Sequence, residues 1–214
     1  MGQRLRITFA RGGRASYLSH LELMRMWERA FRRAGWRLQY SQGFSPHPRL
    51  SFAAPLPVGV AGEAELLEVY LEEPQPLDRA QQRLAQRMPP EIEVREVEEV
   101  PAEEPAIQRR MVAAEYLVVV PEGASPDALR TEVGRVQAAS SLPRERIREG
   151  ATRSYDLRPM IHSVGVERCI DGRPLVRMTL RTDARGAGRP DEVLRELGLD
   201  PAECRITRLR LLFE

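Results

Sequence analysis

Apolar and polar positions alternate along Leu5–Ala10 (LRITFA), the period of a strand with one buried face. After a GGRAS turn the period lengthens to that of a helix over Leu18–Ala34. Ser19 and Glu22 form an S-x-x-E capping box, Leu18 and Leu23 stand at staple positions, and Gly35 is the natural stop. Trp36–Tyr40 reads as a second strand entering a long proline-rich loop, with Leu50–Ala54 extended beyond it. Ala64–Leu71 reads as a strand, Leu77–Arg87 as a helix closed by Met88-Pro89-Pro90, and Ile92–Val100 as an alternating strand. Pro101–Pro105 (PAEEP) is short, acidic and bounded by proline, which is the composition of a linker.

The order then recurs. Glu115–Val120 reads as a strand and Asp127–Ala139 as a helix, with Ser125 as N-cap and Pro126 at the first position. Arg146–Ser154 and Ile161–Glu167 read as extended around a Tyr155–Met160 segment. Pro174–Thr182 is a strand joined to its partner through an Asp171-Gly172 turn. Pro190–Leu197 is a helix whose first turn carries Asp191 and Glu192, and Ile206–Phe213 closes the chain with period-two alternation. Each half therefore reads β-α-β-β-α-β. The expected fold is α+β, two tandem ferredoxin-like domains over 1–104 and 105–214.

Composition narrows the class. A chain of 214 residues that is 42% hydrophobic is not disordered throughout. No stretch approaches the roughly 18 apolar residues of a membrane span. The opening MGQRLRITFARGGR lacks the apolar core of a signal peptide, so a cytoplasmic protein with no membrane partner is expected. Cys169 and Cys204 are too few for a disulfide scaffold or an iron–sulfur cluster and read as inert thiols. The three histidines show no metal-ligand spacing, and no glycine-rich phosphate loop is present. Neither metal nor cofactor is expected.

All 33 basic residues are Arg, and Lys and Asn are absent. Codon usage in a GC-rich genome accounts for the identity of the cation but not for its placement. Residues 1–57 hold ten Arg against Glu22 and Glu28, a balance of +8, whereas residues 58–107 balance at −9. So basic an N-terminal segment points to a polyanion or an acidic protein surface, unless the second segment neutralises the first within the fold.

Two segments carry the candidate chemistry. On the first helix, Leu21, Met24, Phe31 and Ala34, joined by Leu23 and Trp27, supply an apolar side, and Arg25, Arg29, Arg32 and Arg33 form a basic stripe. The stripe is either a phosphate-binding face or an ordinary solvated one paired with Glu22 and Glu28. His20, at the first helical position, either bonds the cap or stands free as a base beside an anion site. In the loop Ser41–Arg49, Pro46 and Pro48 clamp His47, Gly43 permits a tight turn, and Phe44 offers a face on which a base can stack. The alternative is a proline-rich cover with Phe44 buried. In the second half, Arg153–Ile161 reads as a structural corner in which Asp156 and Arg158 can pair.

The runs YLSHLELMRMWERAFRRAG and YSQGFSPHPRLSFAAPLPVGV resemble the signature of the radical-SAM-associated (radical-SAM-linked) domain of unknown function. Ser19, His20, Leu21, Leu23, Met24, Arg25, Arg32, Arg33, Gly43, Phe44, Pro46, His47 and Pro48 match it, and YDLRPMI resembles its second-half motif. Glu22 stands where Asp is usual and Ser45 where Asn is common. The resemblance implies an accessory module, free-standing or fused behind a radical-SAM enzyme, in the setting of RNA processing. This chain has no CxxxCxxC motif of its own. The architecture also resembles the paired ferredoxin-like domains of CRISPR RNA-processing endonucleases, by analogy of fold alone.

Three functions fit these readings. The preferred one is a noncatalytic module that binds RNA, such as tRNA or rRNA, for a separate radical-SAM enzyme. Arg25, Arg29, Arg32, Arg33 and Arg49 would hold phosphates, with Phe44 stacking and His20 and His47 lining the site. The second is a metal-independent RNA endonuclease with His20 or His47 as acid or base and Arg25 stabilising phosphorane charge. The third is a protein-interaction scaffold that docks the radical-SAM partner through the basic helix.

Overall fold

The structure is a computed structural model that describes residues 2–148, 151–168, 173–183 and 186–214. The chain divides into two compact units, Met1–Arg110 and Met111–Glu214. Both are α+β units; the first runs in the order β-α-β-β-α-β, and the second follows that order with two extra strands after its first helix and a two-residue strand before its second.

In the first unit, strand β1 (Gln3–Arg11) turns Leu5, Ile7 and Phe9 into the core, as its alternation requires. Helix α1 (His20–Arg33) starts where the capping box sets it: Ser19 Oγ accepts the Glu22 amide at 3.3 Å, and Glu22 Oε2 accepts the Ser19 amide at 2.8 Å. Leu23, Trp27, Ala30 and Phe31 are its buried face. Trp27 meets Phe9 edge-on at 5.0 Å between ring centroids, and Phe31 stacks on Trp36 at 5.6 Å. Leu21, read from the sequence as part of the apolar side, is instead 57% exposed. It sits in the first turn, ahead of the point where the helix meets the strands.

Strand β2 is Leu50–Phe52, not Trp36–Tyr40. It pairs with the Leu67–Val69 portion of β3 (Ala61–Leu71). The Trp36–Tyr40 segment makes only isolated bridges, Leu38 to Leu71 and Tyr40 to Pro48. Trp36 and Leu38 are buried and Tyr40 is exposed, but the segment reaches only the last residues of β3 and builds no ladder. The expected helix over Leu77–Arg87 is a 3-10 turn at Leu77–Arg79 followed by a short α2 (Ala80–Ala85), and β4 (Ile92–Glu99) completes the unit. β1 lies antiparallel between β3 and β4, with Ile7 opposite Leu67 and Val97. The strand order is β2-β3-β1-β4.

On the face of β1 and β3 away from the helices, Arg4 donates to Glu68 Oε2 at 2.7 Å and Arg6 to Glu68 Oε1 at 2.8 Å. Arg4 also donates to the Glu104 carbonyl at 2.5 Å, and Arg6 to the Glu104 carboxylate at 2.7 Å. The acidic 101–105 segment is thus held against the first unit. The compact division falls at 110/111, six residues beyond the position read from composition.

The second unit begins with β5 (Met111–Val119) and α3 (Pro126–Ala138), which Ser125 caps through its hydroxyl. Next come β6 (Pro143–Arg148) and β7 (Ala151–Asp156), paired with one another and set apart from the other strands. Of the stretch read as one extended segment over Arg146–Ser154, residues 146–148 belong to β6 and 151–154 to β7, while 149–150 lie outside the described residues. β8 (Ile161–Arg168), β9 (Pro174–Asp183), a two-residue β10 (Gly186–Ala187), α4 (Pro190–Glu196) and β11 (Arg205–Phe213) follow. β8 pairs with β9, β9 with β5 and β5 with β11, all antiparallel. The order β8-β9-β5-β11 repeats that of the first unit. Cys169 and the Asp171-Gly172 turn lie outside the described residues.

Candidate functional site

The ten arginines of the first 57 residues do not share one fate. Arg4 and Arg6 are drawn into the Glu68 network, and Arg11 is buried, donating to the Ser16 carbonyl at 2.7 Å to brace the turn before α1. Arg37 pairs with Glu73 on the surface at 3.4 Å. Arg32 bonds Glu28 at 2.8 Å across one helical turn, an exposed pair of small energetic weight. Arg25 contributes to holding the Glu22 carboxyl below its usual range, a shift due mainly to the Ser19 hydroxyl and amide. Arg29 and Arg33 are exposed and have no carboxylate at ion-pair distance among the described residues. The stripe is therefore partly solvated-face pairing and partly uncompensated charge.

The stripe also divides in space. Arg32 borders a depression of about 240 Å³ with Trp36, Arg37, Tyr40 and Glu72. Arg29 and Arg33 border another of about 670 Å³, where Arg87 joins them from the turn after α2. Arg87 was missed in the sequence because it belongs to the acidic 58–107 segment. No local signal distinguishes it from its neighbours there.

The Ser41–Arg49 loop is closed at its base. The Ser41 amide donates to the His47 carbonyl at 2.8 Å, and the His47 amide donates to Ser41 Oγ at 3.0 Å. Gly43 has φ +130°, a conformation that a side chain would strain. Between these bonds Phe44 is fully solvent-exposed at 110% of the reference value, so the loop does not bury it as a cover would. Arg49 lies over the Tyr70 ring, its Cζ 3.7 Å from the centroid, and donates from Nη1 to Gln39 Oε1 at 2.8 Å. These contacts restrain the guanidinium and leave part of its donor fork free.

Both histidine side chains are exposed. The His20 ring stands edge-on to Phe52 at 5.4 Å, and the cap beside it is closed by Ser19 and Glu22 rather than by the imidazole. Among the described residues, no hydrogen bond or ring contact joins His20, His47 and Arg25 to one another. No described set of three or more His, Cys, Asp or Glu side chains is arranged to hold a metal ion. Cys204 is partly buried, and burial raises its thiol pKa above the usual value, assisted by Asp200 and Glu203.

The second-half motif is a corner. Asp156 Oδ1 accepts the Leu142 amide at 2.7 Å and the Arg158 amide at 3.0 Å, which hold its carboxyl below the usual aspartate range. Arg158 donates to the carbonyls of Gln137, Ala139 and Ile161, tying the end of α3 to the start of β8. Asp156 and Arg158 thus act chiefly on backbone. Tyr155 donates to Glu192, and burial followed by that carboxylate pushes its phenol up to about 12. With Arg144 bonded to Glu196, this fastens the inserted hairpin to α4.

Residues 4–190 match a family described as an uncharacterized protein conserved in bacteria (DUF2344), and the chain belongs to that family. Among curated proteins none matches the chain. One similar solved structure is the crystal structure of a provisionally assigned glycine cleavage system transcriptional repressor, with 10% identity and a TM-score of 0.28 over 100% of this chain and 99% of that one. No described helix is long and apolar enough to cross a membrane.

Proposed function

We propose that this chain is a noncatalytic RNA-binding module, built of two ferredoxin-like domains, that presents RNA to a separate radical-SAM enzyme. The observation that carries the reading is the pair of uncompensated guanidiniums on α1, Arg29 and Arg33, on the same unit as the closed loop bearing a bare Phe44. Arginine forks take phosphate oxygens bidentately, and an exposed aromatic ring stacks on an unpaired base. Arg25, Arg29, Arg33 and Arg49 supply the phosphate contacts, with Arg32 recruited from its weak surface pair. His47 lines the site at the base of the Phe44 loop. The radical-SAM link rests on the resemblance of the SHLELMR and GFSPHP motifs.

Filter binding of tRNA and rRNA fragments across a salt series tests this. Each phosphate contact on a single strand steepens the log–log salt slope by about 0.7. Replacing Arg25, Arg29 and Arg33 together by Ala should therefore flatten the slope by about 2. Binding that is absent, or insensitive to salt, removes the reading.

A further inference from the structure

The depression between α1 and the end of α2 gathers charge that no described side chain neutralises. Its walls carry Arg29 and Arg33 from α1 and Arg87 from beyond α2, with Met26, Met88 and Gln86 between them. None of its described lining residues is acidic, and none of the three guanidiniums has a side-chain partner among the described residues. Arginines are common near helix C-termini, where they cap free carbonyls. Here that role is filled by Arg83, whose Nη2 donates to the Ala34 carbonyl at 2.8 Å. The side chains of Arg33 and Arg87 bond no carbonyl among the described residues. Met26 and Met88 add apolar walls, which strengthen the field of the charges above them.

We infer that this depression binds a phosphate monoester, received as the 5′-phosphorylated end of an RNA strand; the inference rests on the RNA reading above. Three arginines that line one concavity suit a compact, highly charged group better than a continuous backbone. A phosphate monoester carries about −1.5 to −2 at neutral pH with three acceptor oxygens, whereas an internal phosphodiester carries a single charge. Gln86 adds a neutral donor at the rim. The site thus selects a strand end: Arg29 and Arg33 contact phosphate in any bound strand and, with Arg87, take the terminal group where one is present, while Arg25, Arg49 and Phe44 hold the strand behind it.

The test uses the full chain and a 3′-labelled single-stranded RNA prepared with either a 5′-phosphate or a 5′-hydroxyl. The phosphorylated strand should bind about tenfold more tightly. Arg87→Ala should erase that preference while changing affinity for the hydroxyl strand by less than about twofold, and Arg87→Lys should restore part of it. Equal affinity of the two strands, or a preference that survives Arg87→Ala, overturns the inference and leaves the RNA reading standing. If neither strand binds, the RNA reading falls. In that case, calorimetric binding of inorganic phosphate that is lost in Arg87→Ala would still support an anion site, and its absence would overturn it. AMP competing as strongly as the phosphorylated RNA overturns the assignment to a strand end.

Discussion

Replacing Phe44 by Ala separates a side chain kept for binding from one kept for folding. Its ring is fully exposed, and the loop is closed by the Ser41 and His47 bonds rather than by the aromatic group. Removing it takes no apolar area out of the core, so stability should move by less than about 0.5 kcal/mol, the range of ordinary surface substitutions. If a base stacks on the ring, alanine should cost about 1–3 kcal/mol of binding, or about 5- to 150-fold in affinity. Fluorescence anisotropy against a single-stranded RNA and against the same sequence in a duplex measures this. The loss should be confined to the single strand, because duplex bases are already stacked on one another. Stability can be followed in the same samples, because Trp27 and Trp36 are the two tryptophans of the chain and both lie in the first unit. Equal losses on both RNAs, or none, would refute stacking. A fall in stability above about 1 kcal/mol would refute the view that Phe44 packs against nothing.

Glu68→Ala should destabilise the first unit by about 3–5 kcal/mol, since it strands the Arg4 guanidinium in a site where that side chain is 4% exposed. Denaturant unfolding read by tryptophan fluorescence checks this, and a loss below about 1 kcal/mol would contradict the network's role. The second unit should lose stability in acid through Asp156. Its folded-state pKa lies below the ordinary 3.8, so its contribution is fully present above that value and fades as the pH falls through the lower one. Thermal unfolding followed by far-UV circular dichroism over that range should show a shallower acid limb in Asp156→Asn. An unchanged limb would mean that the two amide bonds to Asp156 do not set it.

The parts of the fold legible in the sequence are those decided by neighbours along the chain. The start of α1 follows from Ser19 and Glu22, three residues apart, and the core face of β1 from strict alternation at Leu5, Ile7 and Phe9. Gly43, Pro46 and Pro48 mark a built loop in the same way, but they leave open whether Phe44 is buried or bare, and only the folded chain leaves it exposed. The second strand was not legible. Trp36–Tyr40 and Leu50–Phe52 are both suited to extended structure, and the choice depends on which stretch of β3 each can reach. The β6–β7 hairpin escaped notice for a related reason: its two strands satisfy one another, so their apolar pattern owes little to the main strands.

Charge shows the same division. Reading along the chain is enough to count the arginines of the first 57 residues, to see that few acids lie beside them, and to find that four recur along one helix. Which of them remain available is settled by contacts made on folding. Arg4, Arg6 and Arg11 are held by partners 64, 62 and 5 residues distant, Arg49 lies on Tyr70, and Arg83 takes the Ala34 carbonyl at the end of α1. Arg87, hidden in an acidic stretch, stands beside Arg29 and Arg33. The physical reason is range. A cap or an alternating pattern is settled within a few residues, whereas a guanidinium's partner is whichever carboxylate or carbonyl the folded chain brings within about 3 Å.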